Sequence, residues 1–522
     1  MSSYEALTNI IFVTLCFKKQ PKEIMKITYI SHACLLIETD TLKIVTDPWV
    51  MGAAYCKQWY LYPKATQPEL IQDADYVLYS HGHEDHLHAE SLQTIQKQAT
   101  ILYPYSWYGG TAAFFNELGF SNVKEVINET TVALDKHTRV TYLSNNLDTI
   151  LVLEHKNTVL VNINDALPSA SQKMIDHFIT KIKSRWPNID YVFSSYGGAS
   201  YFPNAVHYEH KNDREIAEVR ERFFVNNFCK IIAGLQPKIG VPFASDFVLL
   251  DDKQRWINEI KFQRSKIKDY YSNYTHNNSP SHIIEAYPGD YFEKTQFHQA
   301  SPYHTIFAEK NFLAYAEEIY AEEIQSKRNF QCITESETAQ LLEKVKQHIQ
   351  DKAYIIPSEI RKHIRFAINI ADASEKTYLD VNFRTGETLF DVRGNAALGI
   401  DLLIEIKSET LQYAIDNEWG GDAIIIGYGA EVHCYTEEAV SKEYENYCVR
   451  LLSRYPNTKE YLQRTPMRGI KYLLSDTIKR KNLFNKMLGN TAAVIDYSDP
   501  RLGNRNLWLN KSKCDVCKAC NI

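Results

Sequence analysis

Hydrophobic positions in the first half of the chain alternate between short β-rich runs and amphipathic helical stretches. Short runs of apolar, β-branched or aromatic residues that end at turn-forming residues predict strands. Longer stretches in which apolar residues recur every three or four positions predict helices. The strands are predicted at 26–38, 42–47, 76–80, 100–103, 139–143, 150–154, 158–162, 191–195 and 238–243, and the helices at 89–97, 111–118, 169–185 and 213–235. This alternation is typical of a layered α/β domain.

The pattern changes after about residue 300. Helices are predicted there at 308–327 and 335–352, followed by a strand-rich run at 364–406. A helix from 409, a strand at 423–432 and further helices to about 485 come after it. The chain is therefore predicted to divide into several parts. These are an N-terminal extension at 1–24, an α/β domain at 25–300, a helical connector at 301–352, a smaller α+β domain at 353–490 and a C-terminal tail at 491–522.

Composition narrows the class of protein. A length of 522 residues suits two or three domains, each large enough to bury a core. Hydrophobic residues make up 44% of the chain and charged residues 23%, which is ordinary globular composition and excludes a disordered, collagenous or coiled-coil protein. The net charge of −6 gives no electrostatic footprint for nucleic acid, so no nucleic-acid partner is expected.

Cysteine spacing and the N-terminal hydropathy indicate the compartment. The chain has ten cysteines, and the first seven are far apart, which is typical of free thiols in a reducing cytosol. The longest apolar run near the start, at 10–16, is too short for a transmembrane helix and lacks the basic flank of a signal peptide. We therefore expect a cytoplasmic protein without a membrane partner.

Histidine is concentrated in one place. The chain has 17 histidines, and four of them fall within the eight residues His81-Gly-His-Glu-Asp-His86-Leu-His88, directly after an apolar strand. Imidazole and carboxylate are ligands that zinc, iron and manganese take when a catalytic metal keeps an open position. In an extended segment His81 and His83 point to the same side, and a tight turn at Glu84 would then direct Asp85 and His86 toward a second metal. His88 begins the next helix and is expected outside the site.

Several motifs together resemble a known family. The pattern His-x-His-x-Asp-His, the segment Ile30-Ser-His-Ala33 and the strand end Ile44-Val-Thr-Asp-Pro48 resemble the metallo-β-lactamase fold, in the branch of ascorbate-phosphate lactonases and CMP-N-acetylneuraminate hydroxylases. The likeness is strongest to the hydroxylases. Further segments match that family in order and spacing, at 148–149, 161–165, 196–203 and 236–244. The resemblance covers about 26–290 and implies an αββα sandwich, and the region 360–450 weakly resembles a sterol-carrier-type domain.

The resemblance implies roles for individual residues. His81 and His83 would bind a first metal, Asp85 and His86 a second, and Asp165 at a strand end would bridge the two.

Two further residues have a role and an alternative. Asp47 would orient a ligand histidine and fix its tautomer, although an Asp-Pro turn after a strand accounts for it equally well. His32 would lie beside the site, or else be a hydrogen-bonded core histidine.

The chain departs from the family at two ligand positions. The family has a histidine just before the Asp-Thr at 148–149, where this chain has Ser144, and lactonase-like members have a late histidine where this chain has Pro242-Phe-Ala-Ser-Asp246. Asp246 is a candidate substitute. Other candidates, each more commonly a plain polar loop residue, are Asn145, Asp148, His207 and His210. A site richer in oxygen ligands favours iron or manganese over zinc.

The chain also differs from the hydroxylases in the expected source of electrons. The hydroxylases carry an N-terminal iron–sulfur module of the Rieske type, whereas 25 residues precede the first predicted strand here, with one cysteine and no histidine. An oxygenase of this kind would need an external electron donor as its partner.

The C-terminal run Cys514-Asp-Val-Cys517-Lys-Ala-Cys520 has three interpretations. It forms an iron–sulfur or metal site completed by another cysteine or a partner, a flexible redox or metal-delivery tail, or an incidental cluster of thiols. Seven tyrosines near the histidine cluster, from Tyr55 to Tyr105, are expected mainly to pack in the core and at its rim.

The leading functional hypothesis is an iron-dependent oxygenase in which one or two irons act on a polar small molecule such as an amide, an amine or a sugar nucleotide. The first alternative is a zinc or manganese hydrolase of an ester, lactone or phosphodiester, in which Asp85 also positions the hydroxide. The second alternative is a degenerate, non-catalytic metal-binding scaffold.

Overall fold

The computed structural model describes residues 25–105, 110–145, 148–199, 201–209, 211–396, 398–454, 495–497 and 505–507. Its strands are β1 Lys26–Ser31, β2 Cys34–Glu38, β3 Lys43–Thr46, β4 Ala53–Ala54, β5 Trp59–Leu61, β6 Tyr76–Leu78, β7 Thr100–Pro104, β8 Val123–Val126, β9 Thr131–Ala133, β10 Thr138–Ser144, β11 Thr149–His155, β12 Thr158–Asn164, β13 Tyr191–Ser194, β14 Val206–Tyr208, β15 Ile239–Pro242, β16 Phe247–Leu249, β17 His282–Ile283, β18 Tyr291–Glu293, β19 Gln296–His298, β20 Arg365–Ile370, β21 Tyr378–Asn382, β22 Leu389–Arg393, β23 Leu402–Ile406, β24 Ala430–Cys434, β25 Ile495–Tyr497 and β26 Arg505–Leu507. Its α-helices are α1 Ala89–Gln93, α2 Thr111–Glu117, α3 Gln172–Arg185, α4 Tyr201–Asn204, α5 Asp213–Leu235, α6 Arg255–Ile260, α7 Ile267–Tyr274, α8 Tyr303–Glu309, α9 Phe312–Ile319, α10 Ala321–Arg328, α11 Glu335–Lys352, α12 Ser358–Arg361, α13 Ser408–Asp416, α14 Asp422–Ile425, α15 Glu437–Ser441 and α16 Tyr444–Leu451.

Two sheets stack face to face in the first domain. One has the order β19-β18-β1-β2-β3-β6-β7-β8, and the other has the order β17-β15-β13-β12-β11-β10-β9. Strand β11 shows why the sequence folds this way, because Leu151 and Leu153 enter the core between the sheets while Ile150 and Val152 pack on the opposite side. Helices α3 and α5 cover that outer side, and α1 and α2 cover the other sheet. The predicted αββα sandwich is confirmed.

Parallel strand pairs bring the predicted ligands to one edge. β3 pairs in parallel with β6, and β12 pairs in parallel with β13, which is itself parallel to β15. Strand β3 is followed by Asp47, β6 by the histidine loop and β12 by Asp165. Within each sheet, parallel strands have their carboxyl ends at the same edge. The hydrogen bond from the Asn164 amide to the Asp47 carboxylate shows that these edges of the two sheets meet.

A third sheet forms the second domain and has the order β14-β24-β23-β20-β21-β22. Its apolar face packs on α11, α13 and α16. Strand β14 belongs in sequence to the first domain but pairs in parallel with β24, and Phe223 and Phe224 of α5 enter the same core. The two domains therefore share a sheet and a helix across the boundary predicted at residue 300. The likeness of this domain to a sterol-carrier fold stays a prediction.

Some predicted elements were wrong in detail. The strand predicted at 26–38 is two strands, because the chain turns at His32 with a positive φ of 33°. The helix predicted at 308–327 is three helices, and Asn311 caps the second of them. The strand predicted at 423–432 begins with helix α14, and its strand starts only at Ala430, after Gly427 and Gly429.

In the described part of the chain, no helix has both the length and the apolar character needed to cross a membrane.

Candidate metal centre

The histidine loop folds back on itself directly after β6. The backbone N–H groups of His86 and Leu87 both donate to the carbonyl of His83, at 3.0 and 2.7 Å. This tight turn separates the first two histidines from Asp85 and His86. His88 lies at the start of α1, where its side chain accepts a hydrogen bond from the Ser91 N–H and so caps the helix rather than joining the cluster.

The first group of donor atoms consists of His81, His83 and Asp148. The Nε2 atom of His81 lies 2.9 Å from Nδ1 of His83 and 3.8 Å from Oδ1 of Asp148, and the three donors lie within 4.8 Å of one another. Asp148 is thus the carboxylate of this group, and it is one of the candidates named for the histidine that the resemblance implies. Burial raises the pKa of Asp148 to about 6.

The second group consists of His32, Asp85 and His86. Oδ2 of Asp85 lies 3.1 Å from Nε2 of His32 and 3.4 Å from Nε2 of His86. His32 Nδ1 lies 3.1 Å from the backbone carbonyl of Asp246. A carbonyl oxygen only accepts, so Nδ1 carries the proton and the Nε2 lone pair faces the carboxylate. Two electron-rich atoms at this distance need a proton or a cation between them.

Charge within this group is strongly coupled. Burial favours the neutral form of Asp85, but the imidazoles of His86 and His32 hold the pKa of Asp85 well below its usual range. Burial likewise opposes protonation of His86, yet the carboxylates of Asp85, Asp165 and Asp47 raise the pKa of His86 well above its usual value. The carboxylates therefore attract a positive charge to this position.

Asp165 lies between the two groups. Its Oδ2 atom is 3.4 Å from Nε2 of His86, and it shares a set of mutually close donors with His81 and His86. Nε2 of His86 and Oδ1 of Asp165 are buried, and neither has a hydrogen-bond partner among the described residues. Such atoms are costly to bury unless a ligand satisfies them. The donor set and these two atoms fit a bound metal in each group, with Asp165 between them.

Asp47 lies behind His86. Its Oδ2 atom is 3.4 Å from Nδ1 of His86, and its carboxylate also accepts hydrogen bonds from the N–H and hydroxyl of Ser80 and from the amide of Asn164. Asp47 and Asn164 have φ values of 37° and 52°. Left-handed backbone at non-glycine residues costs free energy and is commonly retained at functional sites, where the surroundings hold it.

Part of the chain matches a known family model. Residues 26–202, which contain every donor named above except Asp246, match the family model described as Beta-lactamase superfamily domain. The match covers less than half of the chain, and the sandwich strands β15, β17, β18 and β19 lie beyond its end.

Curated relatives of the chain include hydroxylases. The chain is 26% identical over 254 residues to the cytidine monophosphate-N-acetylneuraminic acid hydroxylase of Danio rerio, a match that covers 46% of this chain and 41% of the relative. It is 24% identical to the hydroxylase of Cricetulus griseus, over 47% of this chain and 44% of the relative. The Homo sapiens relative, named inactive, matches at 24% identity over 46% of this chain and 50% of its own length. The chain thus spans half or less of the relatives it matches.

Among solved structures, the diiron β-hydroxylase CmlA from Streptomyces venezuelae aligns with 50% of this chain and 52% of its own, at 17% identity and a TM-score of 0.35.

Asp246 contributes its backbone rather than its carboxylate to the cluster. The carboxylate accepts hydrogen bonds from the Tyr196 hydroxyl and from Arg264, at 2.5 and 2.7 Å. The Asp246 carboxylate forms an ion pair with the buried Arg264 guanidinium and does not face the donor groups. Its position therefore does not agree with the expectation that Asp246 replaces the missing histidine as a ligand.

Two other candidates of the sequence differ in position. His207 lies apart from the donor groups, because its Nδ1 lies 2.7 Å from Asp213 and its ring stacks on His433 in the third sheet. Asn145 lies beside the first group, where its side-chain oxygen accepts the Asp148 N–H at 2.8 Å and its amide donates to the carbonyl of Ala166. His210 and the three cysteines Cys514, Cys517 and Cys520 lie outside the described residues.

Two residues of the site, Tyr55 and Asn164, were not identified from the sequence. The Tyr55 hydroxyl donates to Oδ1 of Asp85 at 2.5 Å, and the Tyr55 N–H donates to the Glu84 carboxylate at 2.7 Å. Burial raises the pKa of Glu84 to about 7. Asn164 bonds Asp47, and its place directly before Asp165 was the one signal for it. No spacing in the sequence distinguishes Tyr55 from its neighbouring tyrosines.

Proposed function

We propose that the chain is a metal-dependent oxygenase in which two groups of donors hold two irons. The observation that carries the proposal is the pair of convergent groups, His81, His83 and Asp148 on one side and His32, Asp85 and His86 on the other. Asp165 lies between them, close to His81 and His86. Its carboxylate would bridge the two ions.

Ligand chemistry supports iron. The site combines four imidazoles with three carboxylates, and carboxylate donors suit iron and manganese better than an all-histidine set does. Two relatives that the chain matches are named hydroxylases. Iron supplies the one-electron and dioxygen chemistry that a hydroxylation needs. The electrons would come from an external donor.

Exposure indicates where the substrate approaches. The side chains of His32, Asp85 and His86 are at most 4% exposed, whereas that of Asp165 is 31% exposed. The buried group therefore forms the floor of the site, and Asp165 lies at its opening. A substrate entering here meets carboxylate and imidazole groups, which suits a polar small molecule such as an amide, an amine or a sugar nucleotide.

The chain's own residues prepare the site in two ways. The Asp246 carbonyl keeps the proton of His32 on Nδ1, so Nε2 is available as a ligand. Asp47 lies beside the far nitrogen of His86 and orients that ring in the same manner. Both residues act from outside the donor groups.

A hydrolase remains the second candidate, because imidazoles outnumber carboxylates in the site and a zinc or manganese pair would fit the same donors. Bound zinc or manganese would supply a hydroxide for attack on an ester, lactone or phosphodiester, with Asp85 helping to position it. The match to a relative named inactive shows that similarity alone does not establish activity, which leaves the non-catalytic scaffold as a third outcome.

Metal analysis and oxygen uptake separate these candidates. The full chain is purified without oxygen, its metals are quantified, and oxygen consumption is measured with a chemical reductant. The oxygenase requires iron in the protein and oxygen uptake that a chelator abolishes. Zinc alone, no oxygen uptake and chelator-sensitive hydrolysis of generic phosphodiesters or lactones would favour the hydrolase. Absence of metal together with an unaltered fold in His83→Ala would favour the scaffold.

A further inference from the structure

A strained turn lies beside the metal centre. Tyr55, Cys56 and Lys57 have successive φ values of 57°, 56° and 60°. Left-handed backbone at three consecutive residues with side chains is unfavourable for L-amino acids, because Cβ approaches the following carbonyl. Such a turn persists only where surrounding contacts hold it, and strained backbone of this kind concentrates at functional sites.

On one side, the histidine loop holds the turn. Tyr55 is fully buried and bonds two consecutive carboxylates of that loop. Its N–H donates to Oε2 of Glu84 at 2.7 Å, and its hydroxyl donates to Oδ1 of Asp85 at 2.5 Å. With Oδ1 occupied, Asp85 presents Oδ2 to His32 and His86.

On the other side, the second domain holds the turn. A Cβ atom added at Gly427 would lie 2.6 Å from Cβ of Tyr55, so the backbone approaches Tyr55 too closely for any side chain. Helix α13 contributes two polar contacts. Gln58 donates to the Thr410 hydroxyl at 3.3 Å, and the Lys57 ammonium lies 3.1 Å from the Glu409 carboxylate.

We propose that Tyr55 is a positioning residue through which the second domain sets the orientation of the Asp85 carboxylate. Without the phenol hydroxyl, the Asp85 carboxylate loses the bond that directs Oδ2 toward His32 and His86. The second domain is then a structural part of the metal centre rather than an appended unit. The inference rests on the proposed function in one respect, that Asp85 binds a metal.

Cobalt titration of the metal-free full chain tests the role of Tyr55. Co²⁺ is added to the wild type, to Tyr55→Phe and to Tyr62→Phe, and both the dissociation constants and the visible ligand-field bands are recorded. Tyr62→Phe is the matched control, since this buried tyrosine of the same segment bonds the carbonyl of Phe312 instead. We expect the wild type and Tyr62→Phe to bind two Co²⁺ alike. Tyr55→Phe should bind one of them about 10–100-fold more weakly, with shifted bands, as for other residues that orient metal ligands.

A glycine pair tests the coupling between domains. Gly427→Ala should weaken the same Co²⁺ ion, whereas Gly394→Ala should not, because a Cβ at Gly394 meets nothing closer than 3.9 Å. The double variant Tyr55→Phe/Gly427→Ala should lose less affinity than the two single losses combined, because both act through one contact. Additive losses, or an effect of Gly427→Ala equal to that of Gly394→Ala, would overturn the coupling.

The role of the Tyr55 hydroxyl can be tested even if a glycine variant fails to fold, because Tyr55→Phe tests it alone. Wild-type binding by Tyr55→Phe, with unchanged bands, would overturn the inference and leave the proposed metal centre intact. Wild-type protein that takes up no Co²⁺ would overturn both.

Discussion

The backbone carbonyl of Asp246 accepts the Nδ1–H of His32 at 3.1 Å, and this bond leaves Nε2 of His32 facing Asp85. The two residues lie 214 positions apart in sequence. Arg264 holds the loop that carries Asp246. Its buried guanidinium donates hydrogen bonds to the Asp246 carboxylate, the Ala286 carbonyl and the Tyr29 hydroxyl. A buried ion pair thus holds one wall of the candidate metal centre.

Replacing Arg264 should therefore be severe. Arg264→Met leaves the Asp246 carboxylate buried without its cation, and we expect a loss of about 3–5 kcal/mol in the free energy of unfolding, measured by urea denaturation. Arg214→Met is the control, because Arg214 pairs with Glu259 on the surface and should contribute less than about 1 kcal/mol. Equal losses in the two variants would contradict the role given to Arg264.

The histidine loop offers a matched pair for metal content. His83→Ala removes a donor of the first group and should lower the metal content by about one ion per chain. His88→Asn keeps a helix-capping side chain at a residue outside the groups, and its metal content should equal that of the wild type. Elemental analysis of both purified variants checks this. Metal loss in His88→Asn, or none in His83→Ala, would show that the loop binds metal in another way.

Asp148 should decide whether the first donor group prefers iron or zinc. Asp148→His replaces an oxygen donor by an imidazole, so we expect a higher zinc-to-iron ratio than in the wild type when metal-free protein is loaded from an equimolar mixture without oxygen. Asp148→Ala should bind about one metal fewer. An unchanged ratio in the histidine variant, with full occupancy in the alanine variant, would exclude Asp148 as a ligand.

Lys261 should make stability depend on pH. Burial lowers the pKa of Lys261 to about 8, and its ammonium donates to the carbonyl of Phe247 at 3.0 Å. Between pH 8 and its ordinary value of 10.5 the unfolded chain holds more protons, so the free energy of unfolding rises with pH there. Lys261→Met should be more stable than the wild type at pH 7, by about 1–2 kcal/mol once solvent screening is allowed for. The advantage should shrink as the pH passes 8, in urea titrations at several pH values. A constant difference would refute it.

The part of the centre that is local in sequence could be predicted from sequence. His81, His83, Asp85 and His86 lie in one short loop after a strand, and the structure brings them together with Asp165 at the end of another strand. The strands around these residues could also be predicted, because both of their faces are apolar and give continuous apolar runs in the sequence.

The rest of the centre depends on tertiary packing. Asp148 was one of several equivalent loop residues, and only the path of the chain after β10 decides that its carboxylate faces His81. Tyr55 precedes Asp85 by 30 residues and reaches it from a left-handed turn held by the second domain. No local pattern encodes either contact, because each is set by surfaces that meet only in the folded chain.

We propose that two metal ions lie side by side in this cluster. A crystal of the full chain loaded with iron without oxygen, measured at the iron absorption edge, tests it most directly through the anomalous difference map. We predict two peaks about 3.5–4 Å apart, one among His81, His83 and Asp148 and the other among His32, Asp85 and His86, with Asp165 between them. A single peak, or peaks away from these side chains, would contradict the account.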